Sequence, residues 1–311
     1  MAETLVLVAF LEAAVRLGVP LALAALGETL SERAGVINIG LEGSIIAGAL
    51  GGALGALATE SAAVGVVAGA AAGLAVAAVF AVFVVVLNTD QIITGTAVTL
   101  GGLGFTAVVY QSRFGATGTA LTLPTLDAWT IPVLADTPWI GSALFAQAPT
   151  AYFTYALAPA LWWLLFRTEW GLEIRAAGED PDAAAAAGVR VRTLRFLTTV
   201  AAGALAGVAG AHLALAHTGT FSEGMSAGKG FIAIAVVVLG RWNPIGVLVA
   251  ALFFGAASAL QFALQTVGLD IGYQLFLALP YVLTLAALAG WVGRSRAPAA
   301  LALPWPRDGH A

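Results

Sequence analysis

The stretch SAAVGVVAGAAAGLAVAAVFAVFVVVLNT, Ser61–Thr89, contains no charged residue. A helix needs about 20 apolar residues to cross the hydrocarbon core of a bilayer, so this run reads as a membrane span. Working outward, five further charge-free windows reach the needed length: Gln91–Ser112, Thr137–Phe166, Phe196–Ser222, Trp242–Leu269 and Ile271–Gly293. Two more candidate spans carry charges, Thr4–Leu26 with Glu12 and Arg16, and Val36–Thr59 with Glu42. Gly230–Gly240 is apolar but short, either a half-helix or a crossing completed by its flanks. The expected fold is all-α, a polytopic membrane bundle of about eight to ten transmembrane helices. Residues 1–311 are expected to form one transmembrane domain.

Composition points the same way. Of 311 residues, 60% are hydrophobic and only 10% charged, with a mean hydropathy of +0.95. A soluble chain could not cover that much apolar surface, and a disordered one has the opposite composition. The 37 glycines suit close helix contact in lipid, with Gly65, Gly69 and Gly73, and Gly51 and Gly55, marking packing faces. With no cysteine, disulfides, iron–sulfur clusters and thiolate zinc sites are excluded. His212, His217 and His310 are too few and too scattered for a histidine metal site. A net charge of −4 without any basic run argues against nucleic acid as a partner.

Arginine placement sets the orientation. Arg167, Arg175, Arg190, Arg192 and Arg195 collect in the loop about 167–195, and Arg294, Arg296 and Arg307 in the tail about 293–311. Both are expected to be cytoplasmic. An even number of crossings between them requires Gly230–Gly240 to cross, which puts Arg241 inside as well. The loops Gly27–Gly35 and Asn88–Gln91 then fall inside, while the N-terminus and the stretch about 111–149 fall outside. Glu3 and Arg16 do not fit a cleavable signal.

Polar residues inside this apolar frame are the candidates for function. In GETLSERAGVINIGLEG (Gly27–Gly43), Asn38 and Glu42 stand four apart. On one helix that spacing shares a face, which either lines a pathway or fixes a broken helix start. Alternatively, Glu42 caps a neighbouring backbone. Gln261 and Gln265 repeat the spacing in an apolar span, and Thr94, with Thr96 and Thr99, is a weaker pathway candidate.

The loop RTEWGLEIRAAGEDPDAAAAAGVRVRTLR (Arg167–Arg195) is punctuated like a short helix. Asp180 suits the N-cap, Pro181 the first turn, Ala183–Ala187 the body with Ala184 on it, and Gly188 the end. With Arg175, Gly178 and Glu179 before it, this small-faced helix over Gly178–Gly188 suits a groove on another protein. GKGFIAIAVVVLGRWNPIG (Gly228–Gly246) only superficially resembles a phosphate loop. No Ser or Thr follows Lys229, and Glu223 stands where a glycine is needed, so nucleotide binding is excluded. Trp242 reads as an interfacial anchor and Pro244 as a helix start. Without an HExxH pair, an intramembrane Asp pair or a Ser–His relay, no catalytic residue is expected.

In order and spacing, GETLSERAGVINIGLEG, RAAGEDPDAAAAAGVRV, GKGFIAIAVVVLGRWNPIG and LPYVLTLAALAG (Leu279–Gly290) resemble permease subunits of bacterial ABC importers. The likeness covers about residues 20–292. It is strongest to the branch for nucleosides and simple sugars, related to ribose and branched-chain amino acid permeases. The resemblance implies a multi-pass subunit of the bacterial plasma (inner) membrane, bathed in lipid. Such a subunit pairs with a second permease, expected to be a different chain. It docks on a cytoplasmic ABC ATPase that uses ATP and takes substrate from an extracytoplasmic binding lipoprotein, while holding no cofactor or metal itself. It also implies that Gly178–Gly188 is the coupling helix. The outer stretch 111–149 has no counterpart in the resemblance. A branched-chain amino acid permease, a secondary transporter and a non-transport scaffold are the alternatives. Charge-free windows count against ion coupling by a secondary transporter. No residue recognises a base, so nucleoside, sugar and amino acid all stay open.

Overall fold

The computed structural model describes residues 2–115, 121–138, 140–266 and 297–305, with positions 278, 282, 283 and 286. The expected span Ile271–Gly293, with its motif Leu279–Gly290, lies outside the described residues apart from those four positions, as do residues 293–296 and 306–311 of the tail.

Among the described residues the chain is almost wholly helical. In order come α1 (Ala2–Arg33), α2 (Leu41–Thr59), α3 (Ala62–Ala81) and α4 (Gln91–Phe114). Then follow α5 (Gly141–Phe145), α6 (Pro149–Arg167), α7 (Glu169–Glu179), α8 (Pro181–Ala186), α9 (Val191–His212), α10 (Lys229–Leu239) and α11 (Pro244–Thr266). Helices α3 and α9 continue into π-helical turns, Val82–Val86 and Leu213–Thr218. Two short strands, β1 (Trp129–Thr130) and β2 (Ala146–Gln147), pair antiparallel around α5.

Among the described residues, six segments are long and apolar enough to cross a membrane: Leu7–Arg33, Leu41–Thr59, Ala62–Val86, Gln91–Phe114, Val191–Thr218 and Pro244–Leu264. Helix α6 matches them in length with 19 residues, but its Tyr, Trp, Thr and Pro side chains dilute the hydropathy. Helix α10 has only 11 residues, a short apolar helix as expected.

Three expected boundaries are corrected. Helix α1 does not end at Leu26 but runs on through Glu28 and Glu32 to Arg33, because those carboxyl groups find buried partners. Span two begins at Leu41 rather than Val36, leaving residues 34–40 outside any helix. Gly35, at φ +94°, turns the chain out of α1 where a Cβ would be strained. The window Thr137–Phe166 is not one helix, since its first part forms α5 and β2 and a new helix starts with Pro149 in its first turn.

Packing follows the small residues. Helices α2, α3 and α9 meet backbone to backbone, and α1 packs on α9 and α11. A Cβ on Gly69 would lie 2.7 Å from both the Ala211 Cβ and the Gly48 carbonyl oxygen. One on Gly51 would lie 2.7 Å from the Ala72 Cβ, and one on Gly207 would overlap the Gly69 carbonyl. In lipid the hydrophobic effect does not drive helices together, so close van der Waals contact between such faces does. Helix α2 sits at the centre with 72% of its span buried by the rest of the chain, whereas α4 has 22% and leaves most of its surface uncovered.

Candidate coupling site and pathway residues

The break between α1 and α2 buries polar backbone inside the bundle, where each group must find a partner. Side chains do this. Ser31 Oγ donates to the Val36 carbonyl at 2.9 Å, and Gln91 Oε1 accepts from the Ile37 amide at 2.9 Å. Glu28 Oε1 accepts from the Asn38 amide at 2.7 Å, and Thr99 Oγ1 donates to the Ile39 carbonyl at 3.0 Å. Asn38 therefore lies in this loop and not on a helix, so it shares no helical face with Glu42. Its side chain is fully buried, and neither carboxamide atom has a protein partner among the described residues. The second oxygens of Glu28 and Glu32 are also unpartnered there.

Glu42, in the first turn of α2, is fully used. One oxygen accepts from the Gly228 amide at 2.8 Å and the other from the Gly230 amide at 2.6 Å. Those amides are orphan donors at the start of α10, and a carboxylate satisfies them and complements the helix dipole. The capping alternative is thus the geometry found. Gly230 has to be glycine, because a Cβ would overlap the Glu42 backbone nitrogen.

The remaining pathway candidates are spread over different helices. Thr94 on α4 pairs with the Thr89 hydroxyl at 2.8 Å and lines an apolar groove of about 540 Å3 between α3 and α4. Gln261 is buried in α11, which packs on α1, α6 and α10 rather than on α4. Gln265 follows on the same helix, and its side chain lies outside the described residues.

The punctuated loop folds as read, with one addition. Asp180 Oδ1 accepts from the Ala183 amide at 3.0 Å, Pro181 opens α8, Ala184 is buried, and Gly188 at φ +92° ends the turn. Arg175, Gly178 and Glu179, however, belong to a separate preceding helix, α7. Its sequence signal was available: Thr168 caps Gly171, and Gly171, Ile174, Ala177 and Gly178 bury one face. A Cβ on Gly178 would overlap the Arg33 carbonyl, so α7 docks directly on the end of α1. Arg175 and Arg33 both lie over the Phe166 ring, at 5.2 and 5.7 Å.

Two contributors escaped the sequence reading. Arg195, counted there only as a loop charge, sits in α9 and is 3% exposed. Its guanidinium donates to the carbonyls of Ala34 at 2.9 Å, Leu303 at 3.0 Å and Ala177 at 3.4 Å. The segment 297–305 is the second. Its amides at Ala300 and Ala302 donate to the carbonyls of Gly178 at 2.8 Å and Gly35 at 3.1 Å. Glu179 Oε2 accepts from the Ala299 amide at 3.3 Å, and the Trp305 indole donates to Asp182 Oδ1 at 2.7 Å. Neither signal is local, since both depend on chain segments over 100 residues apart.

Trp242 is also corrected. It is not an interfacial anchor but 4% exposed, its indole donating to Glu32 Oε2 at 2.5 Å while its carbonyl accepts from Arg33 Nε at 2.9 Å. Glu32 in the extended α1 supplies the partner that draws the indole inward. Pro244 opens α11 as expected. The result is a rigid junction in which α7 and α8 are fastened to the ends of α1 and α9 and, through Trp242, to the α10–α11 turn.

Known proteins match this chain over most of its length. It is 37% identical over 84% of its length, and 79% of the relative, to TsgC13 of Haloferax volcanii, whose name assigns it to glucose transport. It is 36% identical to the guanosine ABC transporter permease protein NupQ of Bacillus subtilis, covering 92% of each chain. With the nucleoside ABC transporter permease protein NupC of Lactococcus lactis, identity is 33% over 90% of this chain and 91% of the relative. A second permease protein of each organism, TsgB13, NupP and NupB, also matches at lower identity or over less of the chain. No solved structure matches significantly. Residues 10–288 match the family model described as the branched-chain amino acid transport system permease component, and the chain, a multi-pass membrane protein, belongs to that permease family.

Proposed function

We propose that the chain is the membrane-spanning subunit of an ATP-driven importer for nucleosides or sugars, located in a bacterial plasma membrane. Substrate would move by alternating access. The observation that carries the reading is the α7–α8 junction. A short capped helix is exposed at one end of the bundle, yet its root is locked to α1 and α9 through Gly178 and Arg195. A push on α8 therefore reaches two spanning helices through backbone contacts that have little slack.

On this reading the junction, with Arg175, Gly178, Glu179, Asp180, Pro181, Ala184 and Gly188, faces a cytoplasmic ABC ATPase. The stretch 111–149 faces outward, towards a substrate-binding lipoprotein, and residues 1–311 act as one permease domain. ATP is spent by the partner, in keeping with the missing phosphate loop. Nucleosides and sugars are favoured because the relatives named above are permeases for guanosine, nucleosides and glucose. Their occurrence in pairs supports a second, non-identical permease as partner. The uncovered face of α4, near Thr94, offers surface for it or for lipid.

The test is a tagged purification from native membranes, with co-purifying proteins identified by mass. ATP hydrolysis is then measured with guanosine, other nucleosides, glucose and leucine, in the presence of the binding protein. The expected result is a co-purifying ATPase stimulated by a nucleoside or by glucose. An isolated chain with no ATPase rejects the importer, and stimulation by leucine alone moves the substrate to branched-chain amino acids.

A further inference from the structure

Where the ends of α1 and α6 meet the α10–α11 turn, a cavity of about 490 Å3 is lined by Arg33, Phe166, Arg241 and Ile245, with Asn243 and Gly246 at the start of α11. The spanning segment of α1 ends at Arg33 and that of α11 begins at Pro244, while α6 ends one residue beyond Phe166. A cavity at three such ends lies at the membrane boundary, level with lipid headgroups. Trp163 on α6, exposed to the surroundings, fits the same level, where aromatic rings collect.

The charge around this cavity is one-sided. The guanidinium carbons of Arg33 and Arg175 both stand over the Phe166 ring, at 5.7 and 5.2 Å, and Arg241 brings a third cation to the wall. Arg33 and Arg175 each spend only Nε, on the carbonyls of Trp242 at 2.9 Å and Gly171 at 3.3 Å. No ion pair joins any of the three arginines to a carboxylate among the described residues. Glu32 and Glu179, on the same helices, are engaged elsewhere: Glu32 Oε2 accepts from the Trp242 indole and Glu179 Oε2 from the Ala299 amide. Like charges gathered without a counter-charge repel, and an apolar surrounding strengthens the repulsion until an anion enters. Arg241 is placed at a conformational cost as well. It and Trp242 take φ of +59° and +53°, a left-handed pair that non-glycine residues avoid. The bonds of Trp242 to Arg33 and Glu32 hold that turn, and with it Arg241 in the same wall as Arg33.

We infer that this cavity binds the phosphate group of an anionic phospholipid, with its acyl chains laid along α11. Guanidinium forks match phosphate oxygens in pairs, and the first turn of α11 adds the positive end of its dipole. The apolar half of the ligand is met too. Ile245, in the wall, is 41% exposed, and Val249, one turn further into the spanning segment, is 62% exposed. Their four-residue spacing puts both on one face, an apolar track that runs from the arginines into the hydrocarbon layer. A partner protein outside the bilayer would meet the arginines but not that track.

The full chain, with any subunits that co-purify, is delipidated in detergent and titrated with phosphatidylglycerol or with phosphatidylcholine of the same acyl chains. Bound lipid is counted by native mass spectrometry. Phosphatidylglycerol should bind at least about tenfold more tightly. Arg241→Gln should lose about tenfold of that affinity, as expected for one charge-assisted hydrogen bond. Arg113→Gln, which removes the same charge at the far end of α4, should lose nothing. Ile245→Asp puts a carboxylate into the wall at a helix start that tolerates it, and should abolish the preference even if Arg241→Gln does not fold. Equal binding of the two lipids, or an unchanged preference in both cavity variants, overturns the inference. Competition by glycerol 3-phosphate at concentrations equal to the lipid overturns it in favour of a free-phosphate site. Binding seen only after an associated ATPase has been stripped away overturns it in favour of a subunit contact.

Discussion

Arg195 is the side chain whose loss should be most informative. Arg195→Met keeps the aliphatic stem and removes three donated hydrogen bonds, of which one, to Leu303, crosses to the segment 297–305. A hydrogen bond from a charged donor contributes about 1.5–3 kcal/mol. The other bonds to this segment, the backbone pairs of Ala300 with Gly178 and Ala302 with Gly35 and the side-chain bonds of Glu179 to Ala299 and Trp305 to Asp182, are left in place by the substitution. Local release of the segment should therefore become easier by that one contribution, about 10- to 150-fold in its opening equilibrium at 1.36 kcal/mol per decade. Hydrogen–deuterium exchange of the Ala300 and Ala302 amides in detergent or nanodiscs reads this directly. Exchange there should accelerate by that factor, while amides in the buried centre of α2 keep their protection. Arg195→Lys, with a compact ammonium in place of the fork, should fall between the two. If Ala300 and Ala302 exchange at the original rate in Arg195→Met, the guanidinium does not fasten this segment and the rigid-junction argument fails.

Three further outcomes follow from the geometry. Gly207→Ala drives a Cβ into the Gly69 carbonyl and should cost about 1–3 kcal/mol by overpacking. Thermal unfolding followed by size-exclusion chromatography should detect the loss, while Gly104→Ala, where nothing lies within 4 Å, should leave the midpoint unchanged or slightly higher. Glu42→Gln leaves one acceptor oxygen for the two amides of Gly228 and Gly230. The orphaned amide should cost about 1–3 kcal/mol, measured as a lowered denaturation midpoint, and an unaltered midpoint would show that water replaces the lost oxygen. Asn38→Leu removes a buried carboxamide with no protein partner among the described residues, so membrane insertion should be preserved while uptake falls. Equal substrate affinity and rate in that variant would take Asn38 out of the pathway.

Helix class, approximate span positions and the short helix at Pro181–Ala186 were all legible in the linear chain. Each depends on residues close in sequence: runs of apolar side chains, a proline in a first turn, an aspartate three residues before the amide it caps. Legibility failed where a polar side chain answers a distant backbone. Glu28 and Glu32 looked like the end of a span, yet they sit inside one, because the Asn38 amide and the Trp242 indole come to meet them. Asn38 and Glu42 looked like one helical face, yet the chain breaks between them at groups satisfied by Gln91 and Thr99 from another helix. The cavity at Arg33, Phe166 and Arg241 has no local signature, since its parts come from α1, α6 and the α10–α11 turn.

Sequence alone thus decided the solvent: with 10% charged residues the chain has to be dissolved in lipid, and helices are the way it satisfies its own backbone there. Tertiary structure alone decided which polar groups are spent and which are free. Hydrogen-bond satisfaction in a buried interior is a property of pairs, and the partners of Glu42, Arg195 and Trp242 stand about 100 to 210 residues away. Only packing could reveal that Glu42 is consumed in holding α10, while His212 Nε2 is buried without a protein partner among the described residues.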